Sequence, residues 1–293
     1  MELEFWTELS QAICDVQRQV ARRRRDTHPT ALIVRVHLWS VLHDRPTCWA
    51  CQAGNWTHRT CPDLLPDQST MSRRMRRDDF DTFLTQLQHR LAGKPAAAKL
   101  LKIVDGKPLE IPNHSTDRDA AWGRGVSRTS LGYKLHMICS ASPMPDAFVV
   151  TPLNICEKQM ALRMIKRAGG CGYLLGDAHY DASWLFDGCR HHNHHLLCPR
   201  AKPGSGLGHR YQSPQRLCAI SQLEPPAGLN DFGPSLYRHR SNIEREFSQL
   251  TCFGGGLGPL PSWVRRIWRV RRWVWAKLLI NAVRIRMNRR KTA

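Results

Sequence analysis

KIVDGKPL (residues 102–109) and YLLGDAHYD (residues 173–181) are the stretches that decide how this 293-residue chain folds. In each, a short apolar run ends in an acid, Asp105 in the first and Asp177 in the second. Residues 100–104 and 173–175 are therefore expected as strands that stop at these acids. Between them lie strand signals at 132–139 (GYKLHMIC) and 147–151, then a helix signal over 157–168 that ends at Gly169-Gly170. A helix over 181–190 and a short strand over 195–198 follow. Strands succeeded by alternating strands and helices predict an α/β domain with a mixed sheet flanked by helices. The carboxyl ends of strands in such sheets are where active sites form.

Outward from this core the pattern turns helical. On the N-terminal side, residues 5–25 predict a helix ending in Arg22, Arg23, Arg24 and Arg25. Residues 31–43 (ALIVRVHLWSVLH) are apolar and stop before Pro46, and residues 46–68, rich in Pro, Cys and Trp, predict a loop. Ser69 or Thr70 can cap a second helix, in which Phe80, Phe83, Leu84, Leu87 and Leu91 form an apolar stripe. On the C-terminal side, Gly, Pro and Ser make 201–235 an irregular insertion. A helix over 236–252, a break at FGGGLGPLP (253–261) and a basic helix over 262–290 close the chain. The expected division is a helical N-terminal region (1–98), an α/β domain (99–252) and a C-terminal helix (253–293) packing on the α/β domain.

Composition narrows the function. Lys plus Arg is 44 and Asp plus Glu is 24, so the net charge is 44 − 24 = +20. Such a protein is expected to meet polyanions, of which nucleic acid is the usual one. No apolar stretch reaches the length of a membrane span. The segment MELEFWTELS carries three acids and lacks the apolar core of an export signal. Eleven scattered cysteines, an odd count, fit reduced thiols in the cytoplasm better than a disulfide framework.

A third acid lies in YRHRSNIEREFSQLT (237–251). On a continuous helix, Tyr237, Arg240, Glu244 and Thr251 fall within an arc of about 60°. Ile243, Phe247 and Leu250 form the adjoining stripe that would face the sheet, and Glu246 points away from Tyr237. Glu244 is therefore expected at the edge of the buried stripe, held rigidly. Three carboxylates on rigid elements can hold two Mg²⁺ ions about 3.5–4 Å apart, the arrangement for in-line phosphodiester displacement. Hard oxygen ligands suit Mg²⁺ or Mn²⁺ and not zinc.

With these residues the chain resembles the DDE transposases of bacterial insertion sequences, in the branch with a Y-x2-R-x3-E-x6-K signature. Tyr237, Arg240 and Glu244 match at that spacing, while the lysine position holds Thr251. Asp105-Gly106 resembles the first motif and GDAHYD (176–181) the second. The resemblance spans about residues 100–290, and LPDQSTMSRRMRR also resembles the family's N-terminal DNA-binding part. It implies a ribonuclease-H-like catalytic domain, with Asp105, Asp177 and Glu244 as catalytic metal ligands for Mg²⁺ or substituting Mn²⁺. Tyr237 and Arg240 would contact phosphate or order the Glu helix. The implied activity is cleavage of double-stranded DNA at element ends and strand transfer into target DNA, by a homodimer in the bacterial cytoplasm at the nucleoid. No membrane or small-molecule partner is implied. Thr251 and the irregular insertion also motivate a second reading, a catalytically inactive or repurposed transposase that binds DNA.

The basic segments supply candidate DNA contacts. Arg73, Arg74, Arg76 and Arg77 lie in the first turns of the helix expected from Ser69, where a recognition helix presents its reading residues. Arg265, Arg269 and Arg272 share one face of the last helix, and residues 263–291 hold eleven Lys or Arg and no acid. Lys134 and His136 alternate on one strand face, and Lys134 is expected to reach DNA. Cys48, Cys51, His58 and Cys61 are zinc-competent in type, but the six residues between the pairs are few for a finger, so structural zinc is disfavoured. Metal bound there would instead favour a zinc-dependent DNA-binding regulator.

Overall fold

The computed structural model describes residues 2–19, 26–92, 99–207, 211–226, 231–250 and 256–292. Five helices come first: α1 (Glu2–Gln19), α2 (Thr30–Leu42), α3 (Thr47–Ala50), α4 (Gln68–Arg74) and α5 (Asp78–Ala92). Strands β1 (Leu101–Glu110), β2 (Ala121–Arg124), β3 (Thr129–Cys139) and β4 (Ala147–Pro152) follow. Then come α6 (Glu157–Ala168), β5 (Gly172–Leu175), α7 (Ser183–His191) and β6 (His194–Leu197). Helices α8 (Pro214–Leu223), α9 (Phe232–Tyr237), α10 (Asn242–Gln249) and α11 (Ile267–Thr292) complete the chain. These elements form two compact units, Met1–Gly93 with Gln249–Ala293, and Lys94–Ser248.

Among its described residues the first unit has helices and no strand. Helix α2 is buried on nearly every side, which is why its sequence is apolar all round rather than striped. The α5 stripe, Phe80, Phe83, Leu84, Leu87 and Leu91, is fully used in the core. Each such side chain contributes roughly 1.5–3 kcal/mol of burial free energy. Helix α11, expected on the α/β domain, packs against α1, α2 and α5. From Trp273 to Val283 it is buried on several faces (Trp273, Val274, Ala276, Leu278, Leu279, Ile280, Ala282). An apolar surface that wide needs several helical neighbours.

The helix expected from Ser69 to Leu91 is two helices. Asp67, not Ser69 or Thr70, is the N-cap, and its carboxylate accepts from the Thr70 backbone N–H and from both hydroxyls. The break at residues 75–77 lets Arg74 turn inward. It donates to the His28 carbonyl at 2.6 Å and pairs with Asp26 and Asp79 at 3.2 and 3.5 Å. The Arg22 to Arg25 run lies outside the described residues.

The second unit is a six-stranded mixed sheet. Its order is β2-β3-β1-β5-β6, with β4 sharing the outer edge of β3 with β2. β3 runs antiparallel to β1, β2 and β4, whereas β1, β5 and β6 are parallel. β1 continues beyond its expected end because β3 pairs with it from Ile103 to Glu110, so Asp105 sits mid-strand, opposite Met137. β5 pairs with β1 only over Leu101 to Ile103. Pro108 therefore falls where the second edge of β1 is free of the β5 ladder and its missing N–H breaks no pairing there. Helix α6 lays Met160, Ala161, Met164 and Ile165 on β3 and β4.

Within the expected insertion, Pro214–Leu223 form a helix that the Gly and Pro content did not predict. Ser213 caps α8, Pro214 occupies its first turn, and Arg216 pairs with Asp181 at 2.7 Å. α8 packs on α7 and β6. The helix expected over 236–252 is also broken. α9 ends at Tyr237, a 3₁₀ turn spans Arg238–Ser241, and α10 follows.

Candidate active site

The sheet register places the first two acids together. Ile103 pairs with Leu175 across the parallel β1–β5 ladder. Asp105 and Asp177 each lie two residues beyond that rung, so they leave adjacent strands at one level. The Asp105 Oδ1 accepts the Gly106 backbone N–H at 2.8 Å. The Asp177 Oδ1 accepts the His179 N–H at 2.9 Å and caps a 3₁₀ turn.

Glu244 comes from α10, which is seated by buried Ile243 and Phe247. Lys107 on β1 lies over the Phe247 ring at 5.7 Å, tying this helix to the strand that bears Asp105. The Glu244 side chain is 63% exposed, not held at the margin of a buried stripe as expected.

Arg240 gathers all three acids. One of its nitrogens lies 3.2 Å from Asp105 Oδ2 and 3.8 Å from Asp177 Oδ2, and the other 2.6 Å from Glu244 Oε1. Burial opposes its charge, but the surrounding carboxylates outweigh burial and push the guanidinium pKa up. The Tyr237 hydroxyl donates to the Gly176 carbonyl at 3.1 Å, fixing α9 beside the residue that precedes Asp177. Burial pushes that phenol up to about 12.

Asp105 is electrostatically frustrated. Burial raises its pKa to about 6, against the Gly106 hydrogen bond and Arg240, while the charges of Asp177 and Glu157 add to the rise. Among the described residues, no three His, Cys, Asp or Glu side chains stand close enough to hold a metal ion. The three acids converge on a guanidinium rather than directly on one another.

Glu157, not anticipated from the sequence, opens α6 beside this cluster. Its carboxylate accepts from Lys134 Nζ at 2.6 Å and from the Tyr180 hydroxyl at 3.4 Å. Burial alone would raise its pKa; Lys134 reverses that and holds it below the ordinary range. In sequence Glu157 is simply an acid in a first helical turn, a common placement with a local cause. Lys134, expected to reach DNA, is buried in this ion pair. His136 bonds Thr151 at 2.9 Å, and burial lowers its pKa to about 4.

The candidate DNA-contact arginines divide sharply. Arg74 and Arg272 are buried and internally paired, Arg272 with Asp81 at 2.8 Å. Arg77 pairs with Asp26 and Asp79. Arg265 donates to the Pro261 and Val264 carbonyls. Arg73, Arg76 and Arg269 are exposed, and both Arg76 and Arg269 lie over the Trp268 ring. Of the cysteine–histidine group, the Cys51 thiol donates to the Thr47 carbonyl and burial pushes its pKa up to about 11. Cys48 and Cys61 are free thiols and His58 is exposed. Thr251 lies outside the described residues.

A family model, the transposase DDE domain, matches residues 97–258. The chain belongs to the DDE transposase family. No curated protein matches it. A solved structure of a piggyBac transposase synaptic complex with hairpin DNA is similar at TM-score 0.44 and 11% identity, covering 95% of this chain and 71% of that one. The transposase domain match contains the whole sheet together with Asp105, Asp177, Arg240 and Glu244, and the family's activity is DNA cleavage and strand transfer. No described helix of this transposase is long and apolar enough to cross a membrane.

Proposed function

We propose that this transposase cuts double-stranded DNA at the ends of an insertion sequence and joins them to target DNA, with Asp105, Asp177 and Glu244 as its catalytic acids. The observation that bears most weight is Arg240, one guanidinium in reach of acids from three separate elements. A ribonuclease-H-like fold is supported by the strand order, an antiparallel trio β1, β3 and β4 extended on the β1 side by parallel β5 and β6. The Y-x2-R-x3-E branch is supported by distinct tasks for its residues: Tyr237 anchors the Asp177 turn, Arg240 bridges the acids, and Glu244 completes the set.

The donor chemistry fits a hard dication. Three carboxylates face a single guanidinium, and buried Asp105 is held with its charge incompletely balanced. Asp105, Asp177 and Glu244 would hold Mg²⁺, or Mn²⁺ as a substitute, and the ions would supply activation of the attacking oxygen and stabilisation of the leaving one. Arg240, once released from the acids, has the bidentate geometry to grip a phosphate. Arg73, Arg76 and Arg269 are the exposed cations proposed for duplex phosphates. A homodimer on paired DNA ends, acting in the bacterial cytoplasm at the nucleoid, completes the proposal.

The decisive experiment is cleavage of a duplex bearing the element's end by Asp105→Asn, Asp177→Asn and Glu244→Gln proteins. Each is expected to bind the duplex and to leave it uncut. Wild-type cleavage by any one of them would remove that acid from the catalytic set.

A further inference from the structure

Glu157 is a largely enclosed acid beside the proposed cleavage site, with no part in the three-acid scheme. It is half of an ion pair with Lys134, and both side chains are largely enclosed. The residue after Asp105 is glycine for a reason tied to Glu157. A Cβ on Gly106 would lie 2.9 Å from both the Cδ and Oε2 of Glu157. The same glycine's N–H holds Asp105 Oδ1. The Glu157 carboxylate is therefore seated directly against the backbone that orients the first catalytic acid. The Tyr180 hydroxyl, three residues past Asp177, reaches its other oxygen. One carboxylate thus touches the Asp105 segment, the Asp177 turn and a strand lysine.

We propose that Glu157 is a positioning residue of the cleavage site: seated on Gly106, it adds negative field for the divalent cation held by the catalytic acids, and Lys134 is its counterweight. The inference rests on the reading of Asp105 and Asp177 as metal ligands. It assigns opposite effects to the two halves of one ion pair. Removing the Glu157 charge weakens cation binding. Removing the Lys134 charge leaves Glu157 uncompensated and strengthens it. A purely structural pair would be damaged in the same direction by either change.

The test is Mn²⁺ binding to the full chain without DNA, followed by the spin-resonance signal of free Mn²⁺. Glu157→Gln is expected to weaken binding on the order of ten-fold, the usual size of one close charge interaction. Lys134→Met is expected to tighten it several-fold. Gly106→Ala, which crowds the carboxylate without removing charge, is expected to weaken it. Loss of binding in Asp105→Asn with wild-type binding in Glu157→Gln would overturn this inference and leave the three-acid reading standing. Wild-type binding in Asp105→Asn would overturn the three-acid reading itself. Should Glu157→Gln fail to fold, Lys134→Met decides: tighter binding supports the inference, and unchanged or weaker binding overturns it.

Discussion

The catalytic role proposed for Asp105 asks for an ionised acid, whereas its position in the middle of β1 largely encloses it. The result is a carboxyl whose pKa in the folded chain is raised to about 6, above the ordinary carboxylate range. A group whose folded pKa is raised gives stability that is fully present below its unfolded pKa and is lost as pH rises through the folded value. Metal-free protein is therefore expected to lose stability through this residue between about pH 4 and pH 6. Asp105→Asn, which mimics the neutral acid, should be more stable than the parent at pH 7 by roughly 1–3 kcal/mol, and equal to it near pH 4. Urea unfolding at the two pH values measures the difference; a variant no more stable at pH 7 would show that Arg240 and Gly106 already balance the charge.

Short helices hold particular side chains in place. The break after α4 turns Arg74 inward to Asp26 and Asp79. Removing one partner of a buried ion pair strands the other, so Arg74→Ala is expected to cost about 3–5 kcal/mol. Its exposed neighbour Arg73→Ala should stay within about 0.5 kcal/mol. Chemical denaturation of the two variants separates these outcomes. Tyr237, the last residue of α9, donates to the Gly176 carbonyl. Tyr237→Phe should lower stability by about 1 kcal/mol and reduce cleavage while leaving duplex affinity intact, as gel-shift and nicking assays on the same preparation would show. Ser213 caps α8 on the Gln215 and Arg216 amides, and Ser213→Ala should cost about 1 kcal/mol by thermal melting.

For the molecule as a whole, the charge of +20 sets how it meets DNA. Association is expected to weaken linearly in log salt, with a slope of about −0.9 for each phosphate neutralised. Charge-removing substitutions at Arg73, Arg76 and Arg269 should each flatten that slope by about one unit if they contact phosphate. Arg272, ion-paired with Asp81 and stacked on Phe80, should not change the slope; its loss should appear in the unfolding curve instead. Fluorescence anisotropy between 50 and 200 mM salt, the range over which such contacts tell most, distinguishes the two kinds of arginine.

Local chemistry alone made five of the six strands legible, β2 being the exception, along with the apolar stripe of α5, the proposed acids at 105, 177 and 244, and the basic balance. Each follows from side-chain type and spacing, which a linear chain already contains. Tertiary structure decided what those groups do with their neighbours. Asp105 became a mid-strand residue because β3 extends the ladder past it. Glu244 is exposed beside buried Ile243 and Phe247, and α11 joined the N-terminal helices because its apolar surface is too broad for a single contact. Lys134, Arg74 and Arg272 look like DNA ligands in sequence, but a buried cation must find an anion, and Glu157, Asp26, Asp79 and Asp81 reach them only when the chain has folded. Glu157 had no signature for the same reason: its partners stand 23 residues away on either side, at Lys134 and Tyr180, and only packing of α6 on the sheet brings them to it.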